Sequence, residues 1–425
     1  MQVPEKMMEG KAHVASLDAE HELEVEDPSG VPPLERPTSR RMTLNMGPQH
    51  PSTHGVLRVL LELDGETILN ARPEIGYLHT GIEKECEVKK YQQVIPLTDR
   101  VDYLANLNNN LCYSLAVEKL LALEIPPKAQ WMRVMLCELT RLASHLIWLA
   151  THALDIGAMT VYFYCFRERE EILKVFEMFS GQRMMTSYIR IGGLALEPPR
   201  GWHKAVSQLV ERLARGIDEY EALLTNNPIW LNRTKGIGML PVDLMIELGV
   251  TGPMLRAAGI QRDARKHFPH SSYDKFEFEI PTRTANDVYA RFEVRMEEMR
   301  QSVRIVRQAL EGMPEGPWRA DAQHVLLPDR EQMKTQMEAL IYHFKLVTEG
   351  FRVPEGSVYQ VTESPRGELA YYVVSDGTAN PHRVFMRTPS FGNLQALGAM
   401  LEGVLIADSI AVMGSMDFVL GDVDR

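Results

Sequence analysis

From Leu142 to Phe166 the chain carries one formal charge, Asp155, in a run long enough to cross a bilayer or to lie buried in a protein core. Glu138 and Arg141 lie one turn before it, Arg167-Glu168-Arg169-Glu170 follow directly, and His145, His152 and Asp155 interrupt it. Those flanks and interruptions favour a central core helix, closed by a buried turn at Gly157, over a membrane span. The expected protein is soluble, able to dock on a membrane subunit, and built around one long buried helix. Asp155 in that helix must be paired or protonated, because burying a lone carboxylate is costly. A histidine from another segment would pair with it and gain basicity. His152, three residues earlier on the same helix face, is the local alternative.

Around that helix the hydrophobic period changes twice. Val56 to Leu63, Asp64-Gly65 and Glu66 to Arg72 read as a β-hairpin closed by Pro73, followed by a loop through Tyr77–Lys84 that ends in charge. Helical spacing starts near Asp102, with Leu104, Leu107, Leu111, Leu115 and Leu120, and stops at Pro126-Pro127. Further helices are expected over Ala129–Asp155, Arg167–Phe179, Trp202–Leu224, Asn286–Met313 and Asp329–Thr348. Strands return at Val358–Val361, Glu368–Ser375 and Arg383–Arg387, with a turn at Asp376-Gly377 and a last helix around Leu394–Leu405. The fold class is α+β: a central helical bundle flanked by an N-terminal β-hairpin or sheet region and a C-terminal strand-containing region. The expected division is an acidic, proline-rich arm at 1–40, a β-rich region at 41–101, a helical bundle at 102–350 and an α+β region at 351–425. The arm is read as solvated, lying along a partner.

Composition removes several functions. A net charge of −11 argues against nucleic-acid binding. The four cysteines, Cys86, Cys112, Cys137 and Cys165, form no CxxC pair, which opposes a cysteine-held zinc or iron–sulfur centre in this chain and fits a reducing compartment. Neither GxGxxG nor GxxxxGK[ST] nor GxSxG occurs, and the start carries neither a secretory signal nor a transit-peptide composition. His267 and His270 form an HxxH, but Pro269 spoils the helix that would hold a metal, so both read as surface histidines.

What remains is a set of polar residues led by the turn Asn45-Met46-Gly47-Pro48-Gln49-His50-Pro51-Ser52-Thr53-His54-Gly55. Its prolines and glycines hold an irregular turn at the lip of the following strand, presenting His54 either to a cavity or to solvent. His50 reads as structural. His79, Arg100, Asp102, Tyr103 and Asp155 complete the set, with Tyr103 also readable as a half-buried packing residue.

These segments also carry a resemblance. GPQHPSTHG, IGYLHTGIEK, TDRVDY, ELTRLASHL, LDIGAMT, GQRMMTSYIRIGG, ESPRGELAYYVVSDG, RTPSFGNLQAL and the terminal GDVDR stand in collinear order from Arg41 to Arg425. Together they closely resemble the 49-kilodalton (D) subunit family of proton-pumping NADH:quinone oxidoreductase, respiratory complex I. That family is related to nickel–iron hydrogenase large subunits, so a hydrogenase-like fold is implied. The four metal-binding cysteines of a hydrogenase would fall at Asp102, Ala105, Val419 and Asp422; none is Cys, so a nickel–iron centre of that kind cannot form and a cavity is left for another ligand.

The resemblance implies that this cavity is the head-group end of a quinone site, closed by a neighbouring subunit with the terminal 4Fe–4S cluster. By position His54 and Tyr103 match the pair that hydrogen-bonds the quinone, Asp155 matches the acid paired with His54, and Arg100 matches an arginine near the cluster. The chain itself would bind no cofactor. Its implied partners are the cluster-bearing B subunit, the C and I subunits and the membrane-embedded H subunit, on the cytoplasmic side of the bacterial inner membrane. Two positions depart from the family pattern. Thr80 stands where some members carry arginine, and Met185 stands where many carry a histidine beside the cluster. Loss of that titratable group points to a pH-insensitive, low-potential cluster and to menaquinone. An active hydrogenase, a non-catalytic scaffold of a hydrogenase-related membrane complex and a membrane-spanning protein are the rival readings.

Overall fold

The computed structural model describes residues 41–425; the expected arm at 1–40 lies outside the described residues. The N-terminal hairpin gains a third strand. β1 (Arg41–Met46), β2 (Arg58–Asp64) and β3 (Thr67–Glu74) form an antiparallel sheet in that order. Val59, Leu61 and Leu63 alternate inward on β2 while Leu60 and Glu62 face away, and Met46 pairs with Val59 at the end next to the His54 turn.

The expected β-rich region does not extend to residue 101, and the expected loop from Tyr77 gives way to a helix at Ile82, so its charged end is helical. The chain is helical over α1 (Ile82–Val88) and α2 (Tyr91–Val101). In α1 the buried Ile82 and Cys86 stand four apart, and Glu83, Lys84, Glu85 and Glu87 fill the other faces. In α2, Tyr91, Val94, Ile95, Thr98 and Val101 bury one stripe, and Pro96 falls in the interior of a helix that tolerates it. Charge in α1 and proline in α2 masked the helical period.

The bundle follows. α3 (Asn106–Leu120) leads into α4 (Pro127–Asp155), the longest helix, which packs against α5 (Met159–Ser180) and the Val288–Gly312 helix, while α6 (Trp202–Leu224) packs against α5. The low-charge run is therefore two helices. α4 stops at Asp155, Gly157 takes a left-handed φ of 101°, and α5 starts at Met159. Among the described residues no helix is long and apolar enough to cross a membrane. α5 begins earlier than expected because Val161 and Cys165, four apart, face the core ahead of Ile172. The expected helix over Asp329–Thr348 is broken at Gln336 into Arg330–Thr335 and Met337–Thr348. β4 (Ile189–Arg190) and β5 (Gly193–Leu194) form a short pair beside α3.

β6 (Gly356–Ser364), β7 (Gly367–Ser375) and β8 (Arg383–Arg387) make the C-terminal antiparallel sheet. Pro365 and Arg366 form the turn between β6 and β7; Asp376-Gly377 lies between β7 and β8. The expected last helix is shorter, as Pro389–Leu394 and Leu397–Leu401, and two more follow, Ile406–Met416 and Leu420–Asp424. Ile406–Met416 docks on α4: Trp148 Nε1 donates to the Gly414 carbonyl at 2.8 Å, and a Cβ on Gly414 would stand 2.5 Å from the His152 ring.

The first sheet shares one apolar core with these terminal helices, and α1–α3 share another with β6–β8. The two ends of the described chain are thus woven together beside the bundle. That interleaving places the His54 turn, the end of α2, the β6–β7 turn and the C-terminal helix at one locus.

Candidate functional site

The His54 turn is held by its own backbone. His54 N donates to Pro51 O at 3.0 Å, Thr53 Oγ1 to His50 O at 2.9 Å and Ser52 N to His50 Nδ1 at 3.2 Å. Gly47 has φ +85°, and a Cβ there would stand 2.2 Å from Leu57 O, so only glycine fits. His54 itself is left-handed (φ 55°), which turns its ring against Phe418 with centroids 5.0 Å apart. The ring is open to solvent on one side, yet burial by the surrounding protein and then the Arg366 charge lower its pKa to about 4. At neutral pH the imidazole is uncharged.

Tyr103 follows the last turn of α2 and is half-buried. Gly421 lets the terminal helix close over it: a Cβ at Gly421 would lie 2.7 Å from Val101 O and 3.3 Å from Tyr103 Cε1. Burial and then Asp102 raise the phenol's pKa, and Arg366 pulls it back. Among the described residues neither the Tyr103 hydroxyl nor the His54 ring donates to any other group, so both are available to a ligand. Gly421→Ala is expected to cost about 1–3 kcal/mol of stability by overpacking and to displace Tyr103. A lowered melting temperature together with weakened ligand protection would register both effects.

Behind the pair lies a buried ionic cluster. Arg366 Nη1 donates to Asp102 Oδ2 at 2.6 Å and Nη2 to Asp417 Oδ1 at 3.4 Å. Asp422 accepts from Ser390 N at 2.9 Å, and it lies close enough to Asp102 for that carboxylate to resist its ionisation. Asp102, Ala105, Val419 and Asp422, the positions matched to hydrogenase cysteines, are all buried. A guanidinium and carboxylates stand there, rather than an open cavity walled by this chain alone. A cavity of about 1170 Å³ opens elsewhere, lined among others by Lys119, Arg262, Phe268, His270 and Tyr359; it touches none of the predicted site residues.

The structure does not join Asp155 to His54. Among the described residues no hydrogen bond or ion pair links them, and the histidine that acts on Asp155 is His50. Burial raises Asp155 to about 6 and His50 opposes that rise. Nor does His54 gain basicity; its pKa falls. The reason lies in the turn: Pro51–Thr53 is a single 3-10 turn that separates the two rings, with His50 capping its start and His54 its end. His50 is structural, as expected, and faces the acid as well.

Arg100 and Met185 share one surface. Arg100 is exposed, with Nη1 donating to Pro96 O at 2.7 Å. Its neighbour Asp99 accepts from the Ser187 hydroxyl and from Asn106 Nδ2, and Asn106 also donates to Thr186, so the loop carrying the half-buried Met185 is pinned to the end of α2. Burial raises the pKa of Asp99 despite those bonds. His79 is drawn to the terminal helix, its Nδ1 2.7 Å from Asp424 O. His267 is exposed and its ring faces Asp263 O at 2.9 Å, whereas His270 is partly covered and lowered to about 4 by burial.

Sequence reasoning missed Arg366, Asp417 and Phe418. No local signal marked Arg366 as buried, since Glu363 and Glu368 stand close by in sequence and would fit an exposed arginine.

Comparison with known proteins decides the family. The sequence model described as respiratory-chain NADH dehydrogenase, 49 Kd subunit, matches residues 155–425. The NADH-quinone oxidoreductase D subunit 1 of Solibacter usitatus is 74% identical over 386 residues, covering 91% of this chain and 94% of its own length. The chain belongs to the 49-kilodalton subunit family of respiratory-chain NADH dehydrogenase. Within that family, the D subunit 2 of Koribacter versatilis is 62% identical over 395 residues, covering 93% of this chain and 98% of its own. The D subunit of Geotalea uraniireducens is 53% identical over 384 residues, covering 90% and 98%. The α+β fold agrees with membership of the 49-kilodalton family, and these relatives cover nine-tenths or more of the chain.

Proposed function

We propose that this chain forms the quinone-reducing end of an NADH:quinone oxidoreductase, on a face that the subunit carrying the terminal 4Fe–4S cluster closes. One observation carries the reading: His54 and Tyr103 flank the same buried guanidinium with their polar ends unused by the chain. The relatives, named as D subunits of NADH-quinone oxidoreductase, support the reaction. Quinone reduction puts negative charge on two oxygens and then a proton on each. A phenol and an imidazole can hydrogen-bond those oxygens and hand over protons as charge develops. The neighbouring cluster would supply the electrons. Asp155, poised near 6 beside His50, supplies or accepts a further proton at the rim.

The partners in this reading are the B, C, I and H subunits of the complex, and the site of action is the cytoplasmic face of the bacterial inner membrane. The absence of a spanning helix among the described residues is compatible with a peripheral place. The Met337–Thr348 helix turns Met337, Leu340, Ile341, Phe344 and Val347 outward, an apolar stripe suited to cover by another subunit.

A photoreactive quinone analogue bound to the assembled complex is expected to label the segments around His54 and Tyr103. Labelling confined to other subunits would overturn the assignment. Met185 gives a second test. With no imidazole at that position, the neighbouring cluster's midpoint potential is expected to stay nearly level with pH, consistent with a low-potential quinone such as menaquinone. A slope of ~59 mV per pH unit in a redox titration would refute it.

A further inference from the structure

Arg366 occupies the turn between β6 and β7, with its side chain 0% exposed. The turn is clamped. A Cβ on Gly252 would stand 2.4 Å from Arg366 O, and Asn393 Nδ2 donates to that carbonyl at 3.2 Å. Its two carboxylate partners each stand next in sequence to a residue of the candidate site. Asp102 precedes Tyr103, and Asp417 precedes Phe418, whose ring lies against His54. One buried charge therefore sits behind both candidate proton donors.

We propose that Arg366 is the positioning residue that biases both His54 and Tyr103 towards giving up protons, with Asp102, Asp417 and Asp422 setting the strength of that bias. The inference rests on the reading of His54 and Tyr103 as the quinone-facing pair. A fixed positive charge disfavours an imidazolium and favours a phenolate. At His54 it adds to burial in pushing the proton outward, and at Tyr103 it offsets part of the rise that burial and Asp102 impose. During reduction the Tyr103 O–H breaks as one quinone O–H forms, leaving a phenolate facing Arg366. The N–H of a His54 imidazolium, charged only while negative charge stands on the quinone, breaks as the second O–H forms. The two electrons come from the neighbouring subunit's cluster, and solution restores both protons.

The carboxylates make the bias depend on pH. Around Asp417 stand Arg366 from the β6–β7 turn, Asp102 from the end of α2 and Arg295 from the Val288–Gly312 helix, whose Nη1 donates to Ser415 O at 2.8 Å. Around Asp422 stand Asp102 and Arg366, with Ser390 bonding it from the Pro389–Leu394 helix. Asp417 Oδ2 and Arg366 Nε have no partner among the described residues. Burial, the largest influence on each, pushes Asp417 up to about 6 and Asp422 up to about 7. Acidification therefore neutralises carboxylates while Arg366 stays charged, so the outward bias strengthens as pH falls through 7 to 6.

The test uses the whole complex in membrane vesicles, comparing NADH-driven reduction of a short-chain quinone with NADH-driven reduction of ferricyanide, which bypasses the quinone site. Arg366→Gln is expected to lower quinone reduction by about tenfold or more, with ferricyanide reduction retained. Arg366→Lys should restore most of the rate. Asp417→Asn is expected to remove the acidic limb of the pH profile. Wild-type quinone reduction and an unaltered pH profile in Arg366→Gln would overturn the proposal. If Arg366→Gln fails to assemble, an unaltered pH profile in Asp417→Asn would do the same. Wild-type rates in both His54→Ala and Tyr103→Phe would instead remove the underlying site reading.

Discussion

Tyr103→Phe is expected to lower quinone reduction by about two to three orders of magnitude, the loss typical of removing one donor aimed at developing negative charge. The substitution deletes one oxygen. Tyr103 is half-buried, its ring packs against Gly421, and among the described residues its hydroxyl bonds to nothing in the chain. Phenylalanine keeps the ring and its packing, so folding and assembly should be unaffected. Ferricyanide reduction by the same preparation is the control: it should match wild type while quinone reduction collapses. His54→Ala should behave similarly, with an additional rise in KM because the ring also borders Phe418. Unchanged quinone reduction in both variants would favour the reading of this chain as a scaffold.

The second large effect concerns stability. Glu138→Ala is expected to destabilise the protein by about 3–5 kcal/mol, the cost of leaving buried partners uncompensated. Glu138 is fully buried in α4, with Arg141 Nε at 3.3 Å and Arg265 Nη1 at 3.1 Å. The Ser302 hydroxyl donates to it at 2.6 Å and the Tyr273 hydroxyl at 2.7 Å. Removing the carboxylate leaves Arg141 with no ion-pair partner among the described residues and Arg265 with Asp263 alone. Urea unfolding of the purified protein would measure the loss, and a change below about 1 kcal/mol would refute it.

The same group predicts acid sensitivity. Burial resists its charge, but Arg141 and Arg265 outweigh burial and hold its pKa at about 2; Glu298 is likewise held at about 2 by Arg256 and His145 against its burial. Both folded values lie below the ordinary 4.5. Their contribution is complete above about pH 4.5 and is lost as pH falls towards 2.

How much of this was legible beforehand follows from what periodicity can carry. The buried stripes of α4, α6 and the Val288–Gly312 helix repeat at helical spacing, so those elements stood out from residue type alone. α1 and α2 did not, because four charged residues and an interior proline hid short buried stripes. The terminal Ile406–Met416 helix is apolar and small-residued on nearly every face, which gives no period to detect. At the site, the sequence offered His54, Tyr103 and Asp155 as candidates by position, but not which histidine faces Asp155. That depends on a 3-10 turn that aims two rings in different directions. Arg366 was invisible for a related reason. Its partners Asp102 and Asp417 lie 264 and 51 positions away, and no local pattern announces a pairing over such separations.

The interleaving of the two chain ends has a consequence for synthesis. Gly76 N and Leu78 N donate to the Asp424 carboxylate at 2.9 and 2.7 Å across 348 and 346 positions, and Arg366 waits for Asp417 in the same way. On the ribosome the first sheet emerges long before the residues that complete its core, so this locus is among the last to close. A chain stalled or clipped before residue 406 would lack Val412, Met413, Met416, Phe418, Leu420 and Val423, a large part of the apolar core into which the first sheet packs. The corner around His54 and Tyr103 therefore takes its described form only once the Leu420–Asp424 helix has closed over it.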